Sequence, residues 1–177
     1  HRRPDWQQAL ALGAGVVAEA QGQFVGSAFG WRWGEHAATI GLVVVNPACQ
    51  GRGIGKQLML AVMEKFPDYV IRLHATEMGQ GLYEKLGFKV TGTIQQHQTR
   101  ELAAVPTVTI PSGLTLRNVA ADEADLLCEL DHQAHGMWRP QLMQTLIADH
   151  QTVLLEDAQQ RVQGFASLRR FGHGWAI

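Results

Sequence analysis

The chain has 177 residues, 46% hydrophobic and 18% charged, and its fifteen basic and sixteen acidic residues leave a formal net charge of −1. That balance carries no electrostatic footprint for nucleic acid or an anionic membrane, and the length supports one full hydrophobic core and part of a second. Two widely separated cysteines, Cys49 and Cys128, argue against a disulfide framework and for a reducing cytoplasm.

The first residues imitate a signal peptide, with Arg2 and Arg3 ahead of an apolar stretch from Ala9 to Ala18 and the small-residue run Ala18-Glu19-Ala20. Gly13 and Gly15 interrupt that stretch, and Val16–Ala20 reads better as a strand. A turn at Gln21-Gly22-Gln23 joins it to a second strand, Phe24–Trp33. Ala37–Val45 is an almost unbroken apolar run, suited to a strand buried on both faces and closed by Asn46-Pro47. Ile54, Leu58, Ala61 and Val62 then recur at helical spacing, predicting an amphipathic helix that ends near Phe66-Pro67. Val70–Thr76 alternates as a strand does, Gly79–Leu86 predicts a short helix capped by Gly87, and Lys89–Leu102 predicts one or two further strands. Ala103–Ser112, with Pro106 and Pro111, has linker composition. Beyond it lie a predicted strand at Leu114–Val119, a helix marked by Ala120, Ala124, Leu127, Leu130 and Ala134, a shorter helix at Pro140–Asp149, and strands at Thr152–Glu156 and Val162–Arg169. No apolar run reaches the length needed to span a bilayer.

The chain also resembles itself. Val16-Val17-Ala18-Glu19 matches Val153-Leu154-Leu155-Glu156, Gly26 matches Gly164, Arg32-Trp33-Gly34 matches Arg170-Phe171-Gly172, and Ile40 matches Ile177, at offsets of 137 or 138 by subtraction. Such a period is domain-sized. It divides the chain into a first domain at 1–102 lacking an opening strand and helix, a linker at 103–113, and the N-terminal half of a related domain at 114–177. A first sheet without its opening strand has an exposed edge. Leu114–Asp149 is the segment expected to fill it, within the chain or by exchange in a homodimer.

The strongest chemical feature is Val45-Asn46-Pro47-Ala48-Cys49-Gln50-Gly51-Arg52-Gly53-Ile54-Gly55, running from a buried strand into a helix. Glycines let backbone N–H groups converge on a ligand, and the helix behind adds unsatisfied N–H groups and a favourable dipole. A diphosphate is the natural guest, with Arg52 and Lys56 positioned to add charge-assisted contacts. A P-loop is excluded because Gln57 follows Gly55-Lys56, and a dinucleotide fingerprint because Lys56 stands where its third glycine belongs.

This loop resembles the acetyl-CoA loop of GNAT acetyltransferases, Gln/Arg-x-x-Gly-x-Gly/Ala, with Gln50, Gly53 and Gly55 at its defining positions. Leu82-Tyr83-Glu84-Lys85-Leu86-Gly87-Phe88 resembles the family's second signature, and the resemblance covers roughly Val16 to Leu102. It implies an α/β (α+β) fold with a mixed, largely antiparallel sheet flanked by helices. It also implies acetyl transfer from acetyl-CoA to a small-molecule or peptide amine, with no metal. By position, Val43, Val44 and Val45 offer backbone groups to the pantetheine arm and thioester. The N–H groups from Gln50 to Gly55, including Gly51, Arg52, Gly53 and Ile54, hold the pyrophosphate, Thr76 lies against the arm, and Tyr83 protonates the departing thiolate. Three positions depart from the family pattern: Thr76 stands where Asn is common, Gly79 where Ala is common, and Thr39 where some members place a glutamate base.

Glu19, Glu35, His36 and His74 remain as candidate bases, of which His74 leads because it shares a predicted strand face with Thr76. Trp31, Trp33 and Trp138 are candidates for an acceptor pocket, and Cys49 reads as a turn residue rather than a nucleophile. The eight histidines show no metal-ligand spacing. A non-catalytic acyl-CoA-binding or regulatory module is the rival reading.

Overall fold

Residues 2–101, 104 and 107–177 are described by the computed structural model. Leu102, at the end of the predicted strands, and Ala103 and Pro106 of the predicted linker lie outside the described residues.

The apolar run Ala37–Val45 forms the inner strand β3 of a first four-stranded sheet, ordered β1-β2-β3-β4. β1 (Ala14–Ala20) and β2 (Gln23–Trp33) form an antiparallel hairpin, β3 pairs antiparallel with β2, and β4 (Val70–Arg72) runs parallel to β3. The helix expected after the glycine cluster is α2 (Ile54–Met63). Its apolar stripe places Leu58, Met59 and Val62 on Ala28, Ala38 and Ile40 of the sheet, with Phe66 closing the cluster. Complete burial of a side chain such as Met59 or Val62 contributes about 1.5–3 kcal/mol. α3 (Glu77–Lys85) lies on the same core through Leu82, Tyr83 and Leu86. Gly87 stops it at φ +90, with the Gly87 and Phe88 N–H groups donating to the Glu84 and Tyr83 carbonyls.

A second sheet is ordered β5-β6-β7-β8, from β5 (Leu114–Asn118), β6 (Gln151–Asp157), β7 (Val162–Phe171) and β8 (Gly174–Ala176). α4 (Ala124–His135) and α5 (Pro140–Asp149) connect β5 to β6 and pack Leu127, Cys128 and Met143 on Leu154.

Several expectations are corrected. Arg3–Leu12, within the stretch that imitates a leader, is a helix, α1, started by Pro4 and held by a capping interaction between Arg2 and Asp5. Its sequence periodicity is weak because contacts to both sheets, rather than one apolar stripe, hold it. The strand expected at Val70–Thr76 stops at Arg72, so His74 and Thr76 do not share a strand face. Among the described residues, 89–101 form no strand. Val90 and Ile94 are exposed there, because no strand edge lies alongside to pair with them. β5 pairs with β6 rather than filling the edge of β1, since the two-helix connection returns β6 directly beside it.

The sequence offset recurs in the backbone. α1 and α5 are related by 137, as are β1 and β6 by their bounds. Both hairpins carry a register shift at equivalent places, Ala18/Glu19 and Leu155/Glu156. Gly34 and Gly172 both have positive φ, +68 and +56. The contacts between the halves are reciprocal too. Asp5 of α1 accepts from the Gly172 N–H at 3.0 Å. Its equivalent, Leu142, packs on Trp31, Trp33 and Ala37 beside Met137, while Trp138 lies against Gly34. Each half therefore lays the start of a helix on the end of the other's long strand.

Candidate active site

β3 and β4 are paired only at Ala37–Val70, Ala38–Ile71 and Thr39–Arg72. From Ile40 onward, no strand lies on that edge of β3 among the described residues, so the strand leads into the loop with one edge of its backbone open. Val43 and Val45 are half-buried against the core, and Val44 points outward, 50% exposed. The open edge is the element that a ligand could extend as a strand does.

The loop is braced from within. Asn46 Oδ1 accepts from the Ala48 N–H at 3.0 Å, and the Gln50 side-chain amide donates to the Val45 carbonyl at 3.1 Å. Pro47–Cys49 form a 3₁₀ turn, and the Gln50 N–H donates to Pro47 at 3.3 Å. The N–H groups of Gly51 to Lys56 have no acceptor among the described residues, whereas that of Gln50 is already taken by Pro47. Gly53 caps α2 at φ +78 and Gly51 has φ +76, a left-handed geometry that costs other residues about 1–2 kcal/mol. A Cβ at either would meet open space, so backbone conformation rather than crowding calls for glycine here. Arg52 and Lys56 are exposed at the rim, and neither forms an ion pair among the described residues.

Gly55 couples the loop to Tyr83. A Cβ there would stand 3.3 Å from Leu82 Cδ2, so the first turn of α2 rests closely on α3. Tyr83 is half-buried, with its ring edge-on to Phe88 at 6.1 Å between centroids. Burial raises the pKa of its hydroxyl above the usual tyrosine value, keeping it protonated. The departure at Gly79 has a local reason: a Cβ there would lie 3.0 Å from Tyr83 Cε2. Thr76 is the N-cap of α3, exposed, with its carbonyl accepting from the Gly79 and Gln80 N–H groups.

Of the candidate bases, His74 alone lies on the segment that leads into α3. Thr39, at the family's glutamate position, has its hydroxyl occupied as acceptor from Trp33 Nε1 at 2.7 Å. Glu35 and His36 are exposed at the far end of β3, roughly 26 Å along the strand from Val45. Glu19 is exposed on β1, two strands away, and His74 is exposed between β4 and α3. Cys49 is a half-buried free thiol within the 3₁₀ turn. No group of three metal-ligating side chains occurs among the described residues.

Of Trp31, Trp33 and Trp138, the candidates for an acceptor pocket, the first two line one cavity together with α1 and Trp138 does not. Trp31 Nε1 donates to the Ala9 carbonyl at 3.0 Å, anchoring α1 over the strands, while Trp138 is partly exposed beside Gly34. The missing signal was α1 itself, whose weak amphipathic pattern was hidden in the leader-like stretch.

Residues 12–90 match the acetyltransferase (GNAT) domain family. The chain is 31% identical over 111 residues to the uncharacterized N-acetyltransferase YitH of Bacillus subtilis, an alignment spanning 62% of this chain and 38% of that protein. The crystal structure of a candidate acetyltransferase from Pyrococcus horikoshii superposes with a TM-score of 0.69 at 22% identity, over 94% of this chain and 56% of that one, and so shares the fold. No helix among the described residues is long and apolar enough to cross a membrane.

Proposed function

Because residues 12–90 match the acetyltransferase (GNAT) domain family, we propose that the chain transfers acetyl from acetyl-CoA to a primary amine by direct attack. The observation that carries this reading is the junction of the open β3 edge with six unoccupied N–H groups, Gly51 to Lys56. The cradle suits the pyrophosphate, with Arg52 and Lys56 adding charge, and the Val43–Val45 edge suits the amide-bearing arm. Tyr83 stands on the helix that Gly55 docks to this loop. The amine nitrogen attacks the thioester carbonyl carbon, forming C–N, and C–S breaks as the tetrahedral centre collapses. The departing thiolate takes the Tyr83 hydroxyl proton, and the proton lost by the amine passes to water. From water it passes to exposed His74, on the segment leading into α3, since Thr39 is committed to Trp33 and Glu35 and His36 lie at the far end of β3.

The same reading takes residues 114–177 as a second unit of the same kind, supported by the matched hairpins and their bulges. Two unpaired thiols, Cys49 and Cys128, fit a reducing cytoplasm. The test is calorimetric titration with acetyl-CoA followed by thiol release against an amine panel. Binding with amine-dependent release is expected. Binding without release, unchanged by Tyr83→Phe, would transfer the assignment to a non-catalytic acyl-CoA-binding module.

A further inference from the structure

A cavity of about 290 Å³ lies where the two halves meet, beside the strand that leads to the loop. Its apolar wall is made by Trp6, Trp31, Trp33 and Leu42 from the first half and by Leu142 and Phe171 from the second. Leu42 ties it to the proposed chemistry. This residue sits at the irregularity of β3 with φ +51, immediately before Val43, so the cavity abuts the backbone proposed to lie along the acetyl donor.

The polar part of the lining is Asp5, Gln8 and Arg169. Asp5 is already committed, accepting from the Arg2 N–H at 2.7 Å and the Gly172 N–H at 3.0 Å. Arg169 is different. Its guanidinium lies over the Phe171 ring at 4.6 Å and donates from one nitrogen to Gln8 Oε1 at 3.3 Å, and it forms no salt bridge among the described residues. Burial lowers its pKa against the opposing pull of the nearby Asp5 carboxylate, the signature of a cation drawn partly out of water. A half-buried guanidinium with remaining fork donors is suited to a planar carboxylate.

Resting on the acetyltransferase reading above, we propose that this cavity binds the acceptor and that the acceptor is a free α-amino acid with an aromatic or branched apolar side chain. The tryptophans and Leu142 take the side chain, Arg169 takes the carboxylate, and the amine faces Leu42 and Val43. Both halves then form one acceptor site. A peptide N-terminus or polyamine fits less well, because neither brings a carboxylate beside its amine.

The experiment compares phenylalanine, 2-phenylethylamine, glycine and spermidine by thiol release, with phenylalanine binding followed separately through tryptophan fluorescence without acetyl-CoA. Phenylalanine is expected to exceed each of the others by about tenfold or more in kcat/KM, as a site built for a polar group rejects analogues lacking it. Arg169→Met should erase the preference over 2-phenylethylamine while leaving acetyl-CoA binding intact. Ala9→Leu, which narrows the cavity, should slow phenylalanine more than glycine. Preference for 2-phenylethylamine or spermidine, or a carboxylate preference that survives in Arg169→Met, overturns the assignment. Absence of acetyl-CoA binding with phenylalanine binding retained overturns the transferase reading and leaves the ligand class standing. Absence of phenylalanine binding with acetyl-CoA bound does the reverse.

Discussion

The hairpins β1–β2 and β6–β7 share their register, the position of their bulge and a positive-φ glycine after the long strand, yet they do different work. The first continues through β3 into the Gly51–Lys56 cradle. The second presents Arg169 and Phe171 to a cavity whose other wall is the first half. The hairpin is therefore a scaffold, and chemistry depends on what its far end meets. In the first half that is a loop of open N–H groups. In the second it is a neighbouring sheet.

The sharpest way to break this division is Tyr83→Phe, which removes from the first half alone the hydroxyl proposed to protonate the leaving group. Turnover should fall by roughly 100-fold or more with little change in acetyl-CoA affinity, measured by steady-state kinetics beside calorimetry. An equal loss of affinity and turnover would mean that Tyr83 holds substrate rather than supplying a proton.

Next in size is a substitution that tests whether the halves are mechanically joined. Asp131 is buried and receives a two-pronged hydrogen bond from Arg139, whose guanidinium also lies over Trp33 of the first half at 5.8 Å. Asp131→Ala strands a partly buried cation and should lower stability by about 3 kcal/mol in chemical denaturation. If Trp33 reports through this contact, its fluorescence transition shifts with the global one. Separate transitions would show that the halves unfold independently.

Gly53→Ala asks how much the loop owes to backbone geometry. At φ +78 the alanine should cost about 1–2 kcal/mol, read as acetyl-CoA binding weakened about tenfold with phenylalanine fluorescence binding unchanged.

The smallest effect expected is acid sensitivity of the second half. Arg117 and the Ala120 N–H bind the Glu123 carboxylate and hold its pKa at about 2, below the ordinary 4.5. A depressed carboxylate contributes its full stability above about pH 4.5 and loses it as pH falls toward 2. Denaturation midpoints should therefore decline across that window, and Glu123→Gln should flatten the decline. The network is half-buried and still reached by water, whose screening keeps the expected slope modest.

Much of the fold was legible where one physical cause dominates a segment. Ala37–Val45 and Pro140–Asp149 form their elements at the predicted bounds, since an unbroken apolar run and a proline-started helix each carry their own signal. Val70–Thr76 was misread because alternation describes a strand's faces but not whether a partner continues beside it. Lys89–Glu101 failed for the same reason. Among site residues, Gln50 was legible as part of the loop, but its bracing of the Val45 carbonyl was not. Nor was the occupation of Thr39 by Trp33.

What the sequence alone determined was the strand–loop–helix run from Val45 to Gly55 and the Tyr83 segment, because local backbone geometry and short-range spacing encode them. Only the tertiary structure decided that Gly55 seats α3 on the loop, that α1 closes over Trp31, and that Arg169 lines the same cavity as Leu42. Contacts between the halves join residues up to 167 positions apart, where packing between surfaces rather than any local pattern selects the partner.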